Sequence, residues 1–205
     1  MPAPPSIPLF PLTLVVFPGE RRPLHIFEER YKAMIAHCQE SEAPSFGISL
    51  IQDGELANAG CSVELMQILH KYPDGRLDII TRGRQRYRVL NVYQDQPYLR
   101  AEVEFFDDRE AASRPGLFEE AVERWQQVLS LQGERREDGG HEGPPTNSFE
   151  LAQLAGLDLP VKQKLLETTS EEQRLEELVK YFDQIVQYYR KNLKRTRSNG
   201  HPKEL

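Results

Sequence analysis

The sequence predicts an α+β protein: a closed or nearly closed β-barrel over residues 1–110, then an α-helical bundle over residues 116–197 with a long C-terminal helix, and a basic flexible tail at 198–205. Three observations carry this. Short apolar runs of strand length, separated by turn residues, fill the first half. After Asp107 the apolar residues change to a 3.6-residue period. Between the two lies a charged connector, 107–116, that ends in Pro115–Gly116.

The elements follow in order. Pro8, Pro11, Pro18 and Pro23 each fix φ and remove a backbone donor, so residues 7–24 form extended segments and a turn at Phe17-Pro18-Gly19 rather than a helix. From Phe27 the apolar residues Phe27, Tyr31, Met34, Ile35 and Cys38 fall on one helical face. FGISLI (46–51) is a strand closed by the turn pair Asp53–Gly54, and CSVELMQILH (61–70) is another. Tyr72-Pro73-Asp74-Gly75-Arg76 has hairpin-turn chemistry, because Pro presets φ and Gly accepts a positive one. LDIITRG and RQRYRVLNVY follow, with Gly83 as a bulge position. In YLRAEVEFF (98–106), Leu99, Ala101, Val103 and Phe105 alternate with Arg100, Glu102 and Glu104. Six or seven such strands need their edges paired, which closure achieves.

In the second half, Phe118, Val122, Trp125 and Leu129 mark a helical stripe. Residues 132–146 are polar and Gly/Pro-rich, the composition of a mobile loop. Asn147 with Glu150, and Ser170 with Gln173, are capping boxes that open a short and a long helix. Pro160 starts a further helix between them. Leu175, Leu178, Val179, Phe182, Ile185, Val186, Tyr189 and Leu193 hold the longest period, about 25 residues or about 38 Å of helix.

The formal charge of −6 argues against non-specific nucleic-acid binding by the whole molecule. It is unevenly spread. Residues 190–205 hold six basic groups and one acidic group, or +5, leaving 20 basic against 31 acidic side chains, or −11, in the rest. Cys38 and Cys61 lack zinc spacing and read as buried thiols of a reducing compartment. The proline-broken N-terminus is no signal peptide, and no apolar run reaches membrane-spanning length, so a cytoplasmic location is expected.

Three blocks resemble one known family. They are IPLFPLTLVVFPGERRPLHIFEERY (7–31), the stretch from Gly60–Cys61 through PDGRLDIITRGRQRYRVL (73–90), and KQKLLETTSEEQRLEELVKYF (162–182). Together they are similar to the Lon N-terminal domain, the substrate-binding module of ATP-dependent Lon proteases, over roughly residues 7–195. Within the second block Asp74, Gly75, Gly83, Arg86 and Tyr87 stand at the family's turn, glycine, arginine and aromatic positions. The resemblance implies a PUA-like β-barrel joined to a helical bundle. It also implies a polypeptide or protein partner.

Catalytic signatures are missing from the sequence. There is no P-loop, HExxH, GxSxG or GxGxxG, and the five histidines show no ligand spacing. The expectation is therefore a non-enzymatic protein- or peptide-binding module or adaptor, a stand-alone form without ATPase or peptidase, needing no cofactor or metal. Leu24, His25, Phe27, Tyr72 and Tyr87 are the candidate substrate-binding residues. The alternative from another class is an RNA-binding face. Arg82, Arg84, Arg86 and Arg88 fall at period two on one strand, aided by the basic tail. Glu102 and Glu104 on the next strand are placed to neutralise that stripe, so nucleic acid is the less favoured partner.

Overall fold

The computed structural model describes residues 4–40, 44–109, 114–132 and 143–198, with the side chains beyond residue 191 left aside. Its elements run β1 (Ser6–Leu12), β2 (Arg21–Ile26), α1 (Glu29–Gln39), β3 (Ser45–Gln52), β4 (Glu55–Lys71), β5 (Leu77–Tyr93), β6 (Leu99–Phe106), α2 (Leu117–Gln132), α3 (Ser148–Leu154), α4 (Leu159–Glu167) and α5 (Glu171–Ser198). The fold is α+β, with six strands in one sheet. Most of the basic tail, and residues 133–142 of the expected loop, lie outside the described residues.

The strands pair in the order β2-β5-β4-β3-β1-β6, and β6 also pairs back onto β5. Hydrogen bonding therefore runs in a closed circuit, β5-β4-β3-β1-β6, with β2 attached outside it on β5. β1 lies parallel to β3 and antiparallel to β6. Its prolines are accommodated within those pairings, Pro8 opposite Arg100 and Pro11 opposite Ser49.

β4 and β5 are each 17 residues long, so the hairpin joining them runs past the circuit. β3 pairs with β4 as far as Ser45 opposite Glu64. Beyond that point β4 is held by β5 alone, and β2 covers the far side of β5 from Arg82 to Leu77. The Asp74–Gly75 turn closes the tip, with Gly75 at φ +83° as its chemistry requires.

Inside the circuit Leu9, Tyr87, Ala101 and Val103 form a buried cluster packed by Ile7, Leu56, Val89, Leu99 and Phe105. α1 contributes Tyr31, Met34, Ile35 and Cys38 to the core, and Tyr31 packs its ring 4.0 Å from that of Phe10. The helical stripe expected to start at Phe27 starts at Tyr31 instead. Phe27 precedes the helix and is 60% exposed.

By contacts the chain divides into two compact units. One comprises residues 1–109 and 156–169, the other 110–155 and 170–205. The segment from Gly156 to Thr169, which contains α4, thus groups with the sheet rather than with the other helices, against the sequence boundaries of 1–110 and 116–197. The reason is hydrogen bonding. Gln163 Nε2 donates to the Ala59 carbonyl on β4 at 3.0 Å. Arg86 Nη1 donates to the Leu166 and Thr168 carbonyls at the C-terminal end of α4, at 3.1 and 2.6 Å. A cation there satisfies orphan carbonyls and complements the helix dipole.

In the second unit α5 buries Leu175, Leu178, Phe182 and Val186. Its 28 residues give a helix of about 42 Å. On α2 the fully buried line is Leu117, Ala121 and Val128. The expected stripe of Phe118, Val122, Trp125 and Leu129 is half-buried, so the helix is rotated by about one residue from that reading. Asn147 caps α3 by accepting the Glu150 N–H at 3.0 Å, and Ser170 Oγ accepts the Gln173 N–H at 3.3 Å.

Candidate surface site at the β4–β5 hairpin tip

Residues directly opposite one another in an antiparallel ladder share a face. On β5 the pairs fix one face as Asp78, Ile80 and Arg82. β2 adds His25, Pro23 and Arg21 to it, and β4 adds His70, Gln67 and Glu64. The other face carries Leu77, Ile79 and Thr81, all buried. The Asp78 face is turned to solvent, with Pro23, His25, Gln67, His70 and Arg82 exposed.

At the tip, two side chains bond the Asp78 carboxylate and two further rings pack on them. His25 Nδ1 lies 2.6 Å from its Oδ1, and the Tyr72 hydroxyl donates to Oδ2 at 2.8 Å. The His25 ring stacks on Phe27 at 6.0 Å and meets Tyr72 edge-on at 5.9 Å, while His70 also meets Tyr72 edge-on at 4.3 Å. The hydrogen bond from His25, then that from Tyr72, holds the Asp78 carboxyl below its ordinary range. The same bond raises the Tyr72 hydroxyl. Arg76 stacks on Tyr72 at 4.8 Å and pairs with Asp74 at 2.7 Å. The tip is thus a fixed array of rings and apolar surface on a hydrogen-bonded frame.

Of the five candidate residues, the structure brings together His25, Phe27 and Tyr72. Leu24 pairs with Ile79 and so belongs to the opposite face of β2. Tyr87 is fully buried, its hydroxyl 2.9 Å from Ser49 Oγ.

Two further apolar side chains flank the tip. The β4–β5 register slips between Leu65 and Gln67 and again between Ile68 and His70. Each slip leaves one extra residue on β4, Met66 and Leu69, and these are 47% and 54% exposed. Among the described residues no strand pairs with the outer edge of Met66–Lys71. The sequence could not reveal this pair, because a bulge resets alternation without any distinctive residue. Asp78 and His70 were equally hidden, since the cross-strand register that joins them to His25 is not written locally.

The arginine stripe does not form one basic face. Arg86 is 3% exposed and bound to the carbonyls of α4, to Asp108 at 2.5 Å, and to the ring of Phe106 at 4.7 Å. Arg84 pairs with Glu64 at 3.3 Å, and Arg88 lies 3.9 Å from Glu104 and stacks on Phe106 at 4.3 Å. Only Arg82 remains with the hairpin face. The register between β4 and β5 shifts between Cys61 and Val63, past Gly83, so period two does not survive along the strand. Among the described residues no group of three or more His, Cys, Asp and Glu side chains is placed to hold a metal ion. No described helix is long and apolar enough to cross a membrane.

The fold matches solved structures. A Lon N-terminal domain protein from Xanthomonas campestris superposes with a TM-score of 0.67 at 28% identity, covering 86% of this chain and 98% of that one. The N-terminal domain of Mycobacterium avium complex Lon protease gives a TM-score of 0.63 at 20% identity, covering 87% and 98%. In sequence, Lon proteases of Lawsonia intracellularis and Cytophaga hutchinsonii are 30% identical over 142 residues and 24% identical over 198. Those alignments take in 63% and 89% of this chain but only 17% and 23% of the relatives' length. The family model of the ATP-dependent protease La (LON) substrate-binding domain matches residues 6–184, which takes in every strand and reaches into α5. With fold and sequence in agreement over that span, the chain belongs to the Lon substrate-binding domain family.

Proposed function

We propose that the chain binds extended polypeptide segments at the hairpin tip of β2, β5 and β4, performing no chemistry itself. The observation that carries this is the exposure of Met66 and Leu69 on the open edge of β4, with Phe27 exposed on the β2 side of the same tip. Exposed aromatic and apolar groups supply affinity, and unpaired backbone groups on a strand edge supply main-chain hydrogen bonds to an added strand. The two bulges limit that strand to a short stretch and discourage edge-to-edge aggregation of the protein with itself. Membership in a substrate-binding family supports the same reading. The closed pairing circuit supports a PUA-like barrel as the scaffold, and a cytoplasmic polypeptide is the partner in view. Nothing in the arrangement favours RNA, since three of the four stripe arginines are engaged by protein groups.

The test is site-specific photo-crosslinking from position 69 to a chemically unfolded model protein. Crosslinking is expected, and Phe27→Ser is expected to lower it severalfold while the far-ultraviolet circular dichroism stays unchanged. Crosslinking no greater than from an exposed position on α2, such as Glu123, would rule the tip out.

A further inference from the structure

The contact between His25 and Asp78 settles which imidazole nitrogen carries the proton. Nδ1 lies 2.6 Å from Asp78 Oδ1, and the Tyr72 hydroxyl donates to Oδ2 at 2.8 Å. Asp78, held below the ordinary carboxylate range by these bonds, has only lone pairs to offer. Nδ1 must therefore supply the N–H, and in the neutral ring Nε2 is left as a bare acceptor. The His25 side chain is 43% exposed, and Nε2 has no hydrogen-bond partner among the described residues. Its neighbours are rings. Phe27, itself exposed, stacks on the imidazole at 6.0 Å, and Tyr72 meets it edge-on at 5.9 Å. An unused acceptor thus stands beside an exposed apolar ring.

We infer that His25 Nε2 is a specificity-determining acceptor, and that the preferred segment brings to it a side chain joining an apolar ring to an N–H or O–H donor, as tryptophan and tyrosine do. The inference rests on the peptide-binding reading above and adds to it one ligand side chain and the atom that reads it. The apolar body packs beside Phe27 while the donor meets Nε2, so phenylalanine satisfies only the first contact. Asp78 is the positioning residue, because its carboxylate fixes the ring's orientation and its tautomer together. The reach is short enough for one segment. His25, Asp78 and His70 form one cross-strand row, so a strand added to β4 lies three strand spacings, about 14 Å, from β2. Three extended residues beyond the paired part, at about 3.3 Å each, and one long side chain cover that distance.

Fluorescence anisotropy on the full chain, in alkaline buffer that keeps imidazole neutral, tests this with two apolar peptides that differ by one methyl group. One holds tryptophan, and the other holds its indole N-methylated analogue, which keeps the ring and lacks the N–H. The tryptophan peptide is expected to bind roughly fivefold more tightly, the worth of one solvent-competed hydrogen bond. His25→Phe keeps a ring against Phe27 and removes the acceptor. It is expected to bind both peptides equally, near the parent's affinity for the methylated one. Long-range proton–nitrogen correlation NMR is expected to show His25 of the parent protonated at Nδ1. In Asp78→Asn the side-chain amide can donate to Nδ1, so part of the population is expected to carry the proton on Nε2 and the preference to shrink. Equal affinity of the parent for the two peptides, a preference that survives His25→Phe, or a parent ring protonated at Nε2 would each overturn the assignment and leave peptide binding in place. Failure of both peptides to bind would overturn both readings.

Discussion

Tyr87 carries its hydroxyl into the interior of the pairing circuit, where Ser49 Oγ is its partner at 2.9 Å. Room for the ring comes from Gly47 and Gly60, since a Cβ at either position would overlap that hydroxyl. Burial pushes the Tyr87 hydroxyl upward in pKa, so it stays protonated. Tyr87→Phe leaves the Ser49 hydroxyl unpaired in a buried site and is expected to lower stability by about 1–2 kcal/mol in urea denaturation. Glu20 is a half-buried carboxyl shifted in the same direction. It accepts the Phe17 N–H at 2.9 Å, yet desolvation raises its carboxyl above the ordinary carboxylate range. A raised folded-state pKa means the group favours folding below its ordinary pKa, and that contribution is lost as pH rises through the folded value. Glu20→Gln keeps an acceptor for Phe17 and removes the partly desolvated charge. It is expected to match the parent near pH 4 and to exceed its stability at pH 7, read as urea midpoints at the two pH values.

At the scale of elements, the buried Arg174 ties α3 to α5. It is 1% exposed, donates from Nε to Ser148 Oγ at 2.8 Å and from Nη2 to Glu171 at 2.6 Å, and lies over Phe149 at 4.2 Å. Glu171 in turn accepts the Ser148 N–H at 2.7 Å and its hydroxyl at 2.6 Å. Carboxylate and guanidinium thereby satisfy each other at the first turns of both helices. Arg174→Ala is expected to cost about 2–3 kcal/mol, and Arg174→Lys less than Arg174→Ala but more than a surface change, by chemical denaturation. The apolar period of α5 and the caps at Asn147 and Ser170 were legible in the sequence because they are local. Arg174 was not, since an arginine inside a helical run reads as a solvated charge until its partners twenty-odd residues away are placed. The same distinction divides the hairpin. Gly75 and the alternation of β6 are local signals, whereas the face that unites His25 with Asp78 depends on a 53-residue separation, and Met66 and Leu69 depend on bulges. Phe27 was legible as a candidate even though its place on the α1 stripe was not.

For the whole molecule, the consequence of the chain's path is that neither compact unit is one continuous stretch. The chain leaves the sheet unit after Arg109, returns at Gly156 and leaves again after Thr169. The Arg109 N–H donates to the Thr169 carbonyl at 2.9 Å, so the two exits lie side by side. A fragment ending at residue 109 would retain Arg86 and Asp108 but lack the α4 carbonyls that Arg86 binds and the Gln163 bond to Ala59. A buried guanidinium that loses two of its carbonyl acceptors is among the costlier defects a fold can carry. Joining residues 1–109 to 156–169 through a flexible linker of about ten residues, whose mean span is about 18 Å, restores those acceptors on the same sheet. The linked form is expected to melt cooperatively by circular dichroism, at a higher temperature than the 1–109 fragment. Arg86→Met is expected to destabilise the linked form and to stabilise the fragment, because only in the fragment is the charge without its helix. A sign that failed to reverse between the two would show that Arg86 contributes to the sheet by packing alone.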